Sequence, residues 1–96
     1  PLAMTGHLVL AALGDGRPVT LSRGAIRKAV RGAIGFDGLL ITDDIRMSAL
    51  SGDLVTRAEA ARRAGCDVVL YGGGDVPGMA QVARGAGALT GPAARR

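Results

Sequence analysis

Aromatic side chains are nearly absent from this sequence: Phe36 and Tyr71 are the only two, and there is no tryptophan. A surface that reads nucleic acid by stacking bases on rings is thereby excluded. The core must be built from small aliphatic residues. Cysteine occurs once, at Cys66, so no internal disulfide can form, and a single thiol fits a reducing, cytoplasmic setting. Beside the apolar run Val68-Val69-Leu70, Cys66 reads as a small buried residue. Histidine occurs once, at His7, and lysine once, at Lys28. Nothing approaches the roughly 18 uninterrupted apolar residues of a membrane span. No basic n-region precedes an apolar run in the manner of a secretory signal. No membrane partner is expected.

What is present is apolar, glycine-rich and basic. The chain is 48% hydrophobic, with 16 glycines and a net charge of +4. Eleven arginines carry most of the positive charge. They are spread over the solvent-facing sides of the expected helices, with no DNA- or RNA-reading motif beside them, so no nucleic-acid partner is expected. The 96 residues suffice for one small domain, burying on the order of 60–65% of the surface of the unfolded chain. Because the apolar content is mostly Ala, Val and Leu, a piece of a larger structure or an oligomer-dependent fold is expected. The start at Pro1, at the doorstep of a strand, adds the expectation of a chain truncated at its N-terminus.

The stretch Gly35 to Met47 organises the rest. Leu39-Leu40-Ile41 is a short apolar run without alternation, as a parallel strand buried on both faces requires. Gly35 and Gly38 mark the turn into it. It stops abruptly at Thr42 and two adjacent carboxylates, Asp43 and Asp44. In parallel α/β architectures the C-terminal edge of the strands is where ligands bind. Consecutive side chains on a strand diverge, so one aspartate faces a site and the other braces the loop. The plainer reading is a polar turn with Asp44 capping a short helix.

Upstream, a strand is expected over Leu2 to His7, with Leu8 to Ala12 leading away from it. His7 reads either as a hydrogen-bonded structural residue or as a ligand contact on the functional edge. Gly14 to Pro18 is a loop by turn chemistry. Ser22 caps an amphipathic helix from about Arg23 to Arg31, with Ile26, Ala29, Val30 and Ala33 on its apolar side, ended by Gly32 or Gly35. Downstream, Arg46 to Gly52 is irregular. Asp53 caps a helix from Leu54 to about Ala64 that turns Leu54, Ala58, Ala61 and Ala64 inward and Arg57, Arg62 and Arg63 outward, with Gly65 closing it. Cys66 to Tyr71 is a second buried-type strand. Gly72-Gly73-Gly74-Asp75 reads as a tight strand-to-helix turn or as an anion cradle, although it lacks the P-loop Lys-Ser/Thr and the dinucleotide spacing. A helix from about Val76 to Arg84 follows. The strand–helix alternation predicts an α/β fold with parallel strands and right-handed crossovers. Three strands cannot close a barrel, leaving part of a barrel or a small open sheet.

Five segments lie in an order that resembles glycoside hydrolase family 3. They are Met4-Thr5-Gly6-His7, Arg17-Pro18-Val19-Thr20-Leu21-Ser22, Gly35-Phe36-Asp37-Gly38, Thr42-Asp43-Asp44-Ile45-Arg46-Met47 and Ala64-Gly65-Cys66-Asp67. More narrowly, they are similar to the bacterial β-N-acetylhexosaminidases of peptidoglycan recycling. The resemblance implies a partial TIM-type (β/α)₈ barrel. On that view residues 1–84 supply its last three strand–helix units, and 85–96 form a flexible tail. It implies that Asp43 is the nucleophile of a retaining glycosidase. His7 and Met47 would then contact the sugar, with Gly6 in place of the family's usual Ala, and Thr42 and Asp44 would support the site. It implies a carbohydrate substrate containing N-acetylglucosamine, a cytoplasmic enzyme, and no cofactor or metal.

The family's acid/base histidine lies downstream of a Lys-His-x-Pro-Gly-x-Gly segment. No such segment occurs here, so the acid/base is expected outside this chain, and the chain alone is expected to be inactive. Two other classes compete with this one: a non-catalytic α/β module binding anions or nucleotides at the glycine turn, and a Mg²⁺-dependent receiver-like module. The receiver-like reading wants a further acidic residue on the first strand and a late lysine, and Lys28 is the only lysine.

Overall fold

The fold is built outward from Leu39–Ile41, strand β2, which lies parallel to β1 (Leu2–Met4) in the register Leu2 to Leu39, Ala3 to Leu40 and Met4 to Ile41. The computed structural model describes residues 1–13 and 15–96. Gly14, the first residue of the expected loop, lies outside them. β1 is shorter than the expected span to His7. One more ladder bond, from the Thr5 amide to the Ile41 carbonyl at 2.9 Å, ends its pairing.

The third expected strand runs parallel to β2 but is not a regular ladder partner. A bridge joins Ile41 to Val68, and Thr42 N–H donates to the Val68 carbonyl at 3.0 Å. The Leu70 amide then bonds to the Thr42 hydroxyl at 2.9 Å, not to a backbone carbonyl. A side chain has replaced the carbonyl that would continue the ladder, and the sheet stays at two strands.

Helices cover the face that carries Ala3 and Leu40. α1 (Arg23–Ala25) is capped by Ser22, whose hydroxyl accepts from the Ala25 amide at 3.2 Å. In place of a continuous α-helix, it runs on as a π-helix over Ile26–Ala33, and the Ile34 amide reaches the Ala29 carbonyl five residues back at 2.8 Å. Gly32 permits the wider coil: a Cβ there would sit 3.0 Å from the Arg27 carbonyl oxygen. α2 (Leu54–Ala64) matches its expected bounds, with Asp53 accepting from the Thr56 amide at 2.8 Å and Gly65 closing the last turn. α3 (Val76–Ala86) starts at Asp75, whose carboxylate accepts from the Gly78 amide.

The helices and the sheet meet in two clusters. One gathers Ile26, Leu40, Ala61, Ala64 and Cys66, and the other Ile45, Leu50, Ala58 and Val82. Leu40 and Ile45 are the largest fully buried side chains, each stabilising by about 1.5–3 kcal/mol. Burial pushes the Cys66 thiol up to about 12, which leaves it unreactive.

The opposite face of the sheet is apolar and uncovered. Leu2 and Met4 are 65% and 54% exposed, and by alternation they share that face with Leu39 and Ile41. The resulting slab measures 38 × 29 × 17 Å. No helix among the described residues is long and apolar enough to cross a membrane.

Two arginines expected to point outward turn back onto the backbone. Arg57 donates to the Gly52 and Ile45 carbonyls at 2.9 and 2.7 Å. Arg62 donates to the Cys66 and Asp67 carbonyls at 2.9 and 2.6 Å. Only Arg63 of the three remains on the surface, paired with Glu59. Residues 85–96, read from sequence as a flexible tail, carry a last short helix, α4 (Gly91–Arg95). Ala93 is buried, and Arg96 pairs with the buried carboxylate of Asp67 at 2.8 Å. Asp67 also receives Arg31 at 3.0 Å and the Leu40 amide at 2.9 Å. A buried carboxylate is stable only when paired and bonded in this way.

Candidate active site

The segments that leave β1, β2 and the third parallel run emerge on one edge, because all three point the same way. Thr42 is fully buried at the end of β2. Its hydroxyl is taken by Leu70 and so anchors the carboxylate turn to the neighbouring segment. Ile45, three residues on, is fully buried and its amide reaches the Leu70 carbonyl at 3.1 Å. Apolar burial at Ile45 thus holds the turn from below.

Asp43 and Asp44, held in this turn, differ in their surroundings. Asp43 is half-buried, and one of its oxygens accepts from the Asp44 amide at 2.8 Å. Among the described residues it has no cationic partner within salt-bridge distance. Asp44 is fully engaged: Oδ2 accepts from Arg46 Nε at 2.9 Å and Nη2 at 2.7 Å, and Oδ1 accepts from the Arg46 amide at 3.0 Å. The Arg46 side chain, with help from the Arg46 and Gly72 amides, holds the Asp44 carboxyl at about 2, below its ordinary 3.8. Such a fork-on-carboxylate pair is directional as well as charged.

His7 sits beside the same turn. Its Nε2 lies 2.8 Å from the Asp44 carbonyl oxygen and its Nδ1 lies 2.8 Å from Thr20 Oγ1. Met47 closes the turn: its amide donates to the Asp44 carbonyl at 3.2 Å, and its side chain is 45% exposed. His7, Thr42, Asp43, Asp44 and Met47, the residues singled out in the sequence, therefore belong to one edge of the fold.

The glycine run wraps this turn. A Cβ on Gly72 would strike the Asp44 carboxylate and lie 2.8 Å from Arg46 Nη2. Its third residue leads to Asp75, which accepts from the Tyr71 hydroxyl at 2.5 Å. That bond lowers the Asp75 carboxyl and raises the Tyr71 phenol. Three contributors are not marked as site residues by any motif in the sequence: Arg46 as partner of Asp44, Thr20 as partner of His7, and Arg57 as a tie to the turn's carbonyls. A cation two residues beyond an aspartate was the available signal for Arg46. Thr20 and Arg57 carried none, since their partners lie 13 and 12 residues away.

A helix-backed layer of parallel strands, ending in a turn that presents a carboxylate, is the class that fold and site define. The glycosyl hydrolase family 3 N-terminal domain matches residues 2–90. A β-hexosaminidase of Bordetella avium is 38% identical over 72 residues, which cover 73% of this chain and 20% of that protein. One of Alkalilimnicola ehrlichii is 42% identical over 72 residues, with the same coverage. Among solved structures, a glycoside hydrolase family 3 β-N-acetylglucosaminidase from Paenibacillus sp. superposes with a TM-score of 0.68 at 34% identity, covering 73% of this chain and 14% of that one. A β-N-acetylhexosaminidase from Beutenbergia cavernae superposes with a TM-score of 0.70 at 28% identity, covering 88% of this chain and 25% of that one. The chain belongs to glycosyl hydrolase family 3. It spans about a fifth of the length of the curated relatives it matches.

Proposed function

We propose that this chain is the nucleophile-bearing part of a retaining β-N-acetylhexosaminidase. The observation that carries the reading is the asymmetry of the aspartate pair. Arg46 and the turn occupy both oxygens of Asp44, while Asp43 keeps an oxygen clear of the Asp44 amide. A retaining glycosidase needs one ionised carboxylate to attack the anomeric carbon and form a glycosyl–enzyme ester, and a separate acid to protonate the leaving oxygen. Asp43 is assigned the first role. The acid, which later serves as base toward water, comes from chain outside these 96 residues.

The wider reading takes its sugar from the names of the relatives and its cell-wall and cytoplasmic setting from the resemblance carried by the sequence segments alone. The substrate is a glycoside ending in N-acetylglucosamine, derived from cell-wall peptidoglycan and hydrolysed in the cytoplasm during its recycling. The architecture is a slice of a (β/α)₈ barrel, namely its last three strand–helix units. The uncovered apolar face of Leu2 and Met4 supports this, because in a closed barrel that face becomes the packed interior. Met47 lies at the rim of the sugar site. Hydrolysis of an aryl N-acetyl-β-glucosaminide by the full-length gene product, lost in Asp43→Asn, is the direct test. Full activity in that variant would refute the assignment.

A further inference from the structure

The single histidine of the chain has both ring nitrogens engaged by protein groups. The partner of Nε2 is the Asp44 carbonyl oxygen, 2.8 Å away. A carbonyl only accepts, so Nε2 carries a hydrogen. Nδ1 faces Thr20 Oγ1 at 2.8 Å, and that threonine is fully buried. Thr20 Oγ1 in turn lies 2.7 Å from the buried hydroxyl of Thr5. In the neutral ring Nδ1 is bare and must receive. Two acceptors claim the one Thr20 hydrogen, bare Nδ1 at 2.8 Å and the Gly6 carbonyl at 3.3 Å. The shorter contact takes it, so Thr20 donates to Nδ1 and accepts from Thr5. The hydrogen bonds run one way, from Thr5 through Thr20 and the imidazole to the Asp44 carbonyl.

We propose that His7 is a positioning residue, not a sugar ligand, and that the Asp44 carbonyl and Thr20 together hold it as the Nε2–H tautomer that fixes the carboxylate turn. The Asp44 carbonyl has two lone pairs, and the Met47 amide takes the other at 3.2 Å. The amide of the same Asp44 orients Asp43 through its 2.8 Å bond to Oδ1. Fixing Asp44 from its carbonyl side thus fixes the donor that aims the Asp43 carboxylate. An imidazole anchored at both nitrogens has no remaining ring donor for a substrate hydroxyl.

The tautomer can be tested without reference to catalysis, whereas the kinetic part rests on the hydrolase reading of the preceding subsection. In the full-length gene product with ¹⁵N-labelled histidine, the His7 signals are those lost in His7→Gln. Nε2 is expected in the N–H form and Nδ1 in the bare form, unchanged when N-acetylglucosamine is added. Thr20→Ser keeps this pattern, and Thr20→Val, which removes the donor to Nδ1, shifts the Nδ1 signal while the Asp44 carbonyl keeps the hydrogen on Nε2. A Nδ1–H ring, an averaged wild-type signal, or a ring that responds to the sugar would overturn the proposal.

In hydrolysis, the side-chain amide of a glutamine can reach the place of Nε2, so His7→Gln is expected to lose roughly tenfold in kcat. The shorter asparagine side chain cannot, and His7→Asn is expected to lose on the order of 10²-fold, with KM little changed in both. A rise in KM with kcat preserved would overturn the positioning role. Absence of hydrolysis by the wild type would sink the hydrolase reading, and the tautomer measurement would still decide this one.

Discussion

Arg46 grips the carboxylate of Asp44 with two nitrogens, at 2.9 and 2.7 Å, and so ties down the residue next to Asp43. The pair has a consequence for acid stability. The Asp44 carboxyl is held at about 2 against an ordinary 3.8, so its stabilising contribution is present above about 3.8 and is lost as the pH falls through 2. Acid unfolding of the full-length gene product should therefore show a dependence between these values that Asp44→Asn lacks. Salt should weaken the difference, because Arg46 is half exposed. Superimposable pH profiles for the two proteins would contradict the pairing.

Gly72 is predicted to be required by the same pair. In Gly72→Ala the new methyl group meets the Asp44 carboxylate and the Arg46 guanidinium, so the loop must move or the pair must open. The Asp44 carboxyl should then titrate closer to 3.8, its ordinary value, as read by carboxyl carbon NMR. An unchanged titration would show that the loop yields without disturbing the turn.

Expressed alone, the 96 residues should aggregate or unfold without a sharp transition. The apolar face bearing Leu2 and Met4 is uncovered, and the outer edge of β1 is open to pairing. The same polypeptide should fail to hydrolyse aryl N-acetyl-β-glucosaminides, since a general acid contributes about 10²–10⁴ in rate. A cooperative thermal transition from a monomer would contradict the first statement, and turnover abolished by Asp43→Asn the second.

Some elements could be read directly because their causes are local. Asp53 and Gly65 bracket α2, and the alanines between them recur at helical spacing. Leu39–Ile41 is apolar throughout and ends at an aspartate pair. Other features depend on partners distant in sequence. The Thr42 hydroxyl interrupts the third strand by taking an amide 28 residues away. Arg62 faces inward because it reaches the Ala86 carbonyl, 24 residues away, as well as the nearby Cys66 and Asp67 carbonyls. The last residue, Arg96, is drawn to a buried Asp67 that no pattern in the tail announces. The π-helix is a different case, set by a close contact within one turn: how closely Gly32 lets the Arg27 carbonyl approach. At the edge itself the resemblance picked out His7 and the aspartate pair, but the hydroxyl and guanidinium that orient them emerged only with the fold.

The two aspartates are assigned different tasks, and covalent labelling separates them. Asp43→Ala should lower kcat by several orders of magnitude, because no neighbour replaces a covalent nucleophile. Asp44→Ala should cost on the order of 10²-fold through misplacement of the turn. The decisive measurement is peptide mass spectrometry of the full-length gene product after reaction with a mechanism-based fluorosugar. The glycosyl ester is expected on Asp43 with Asp44 unmodified; an ester on Asp44 would contradict the assignment.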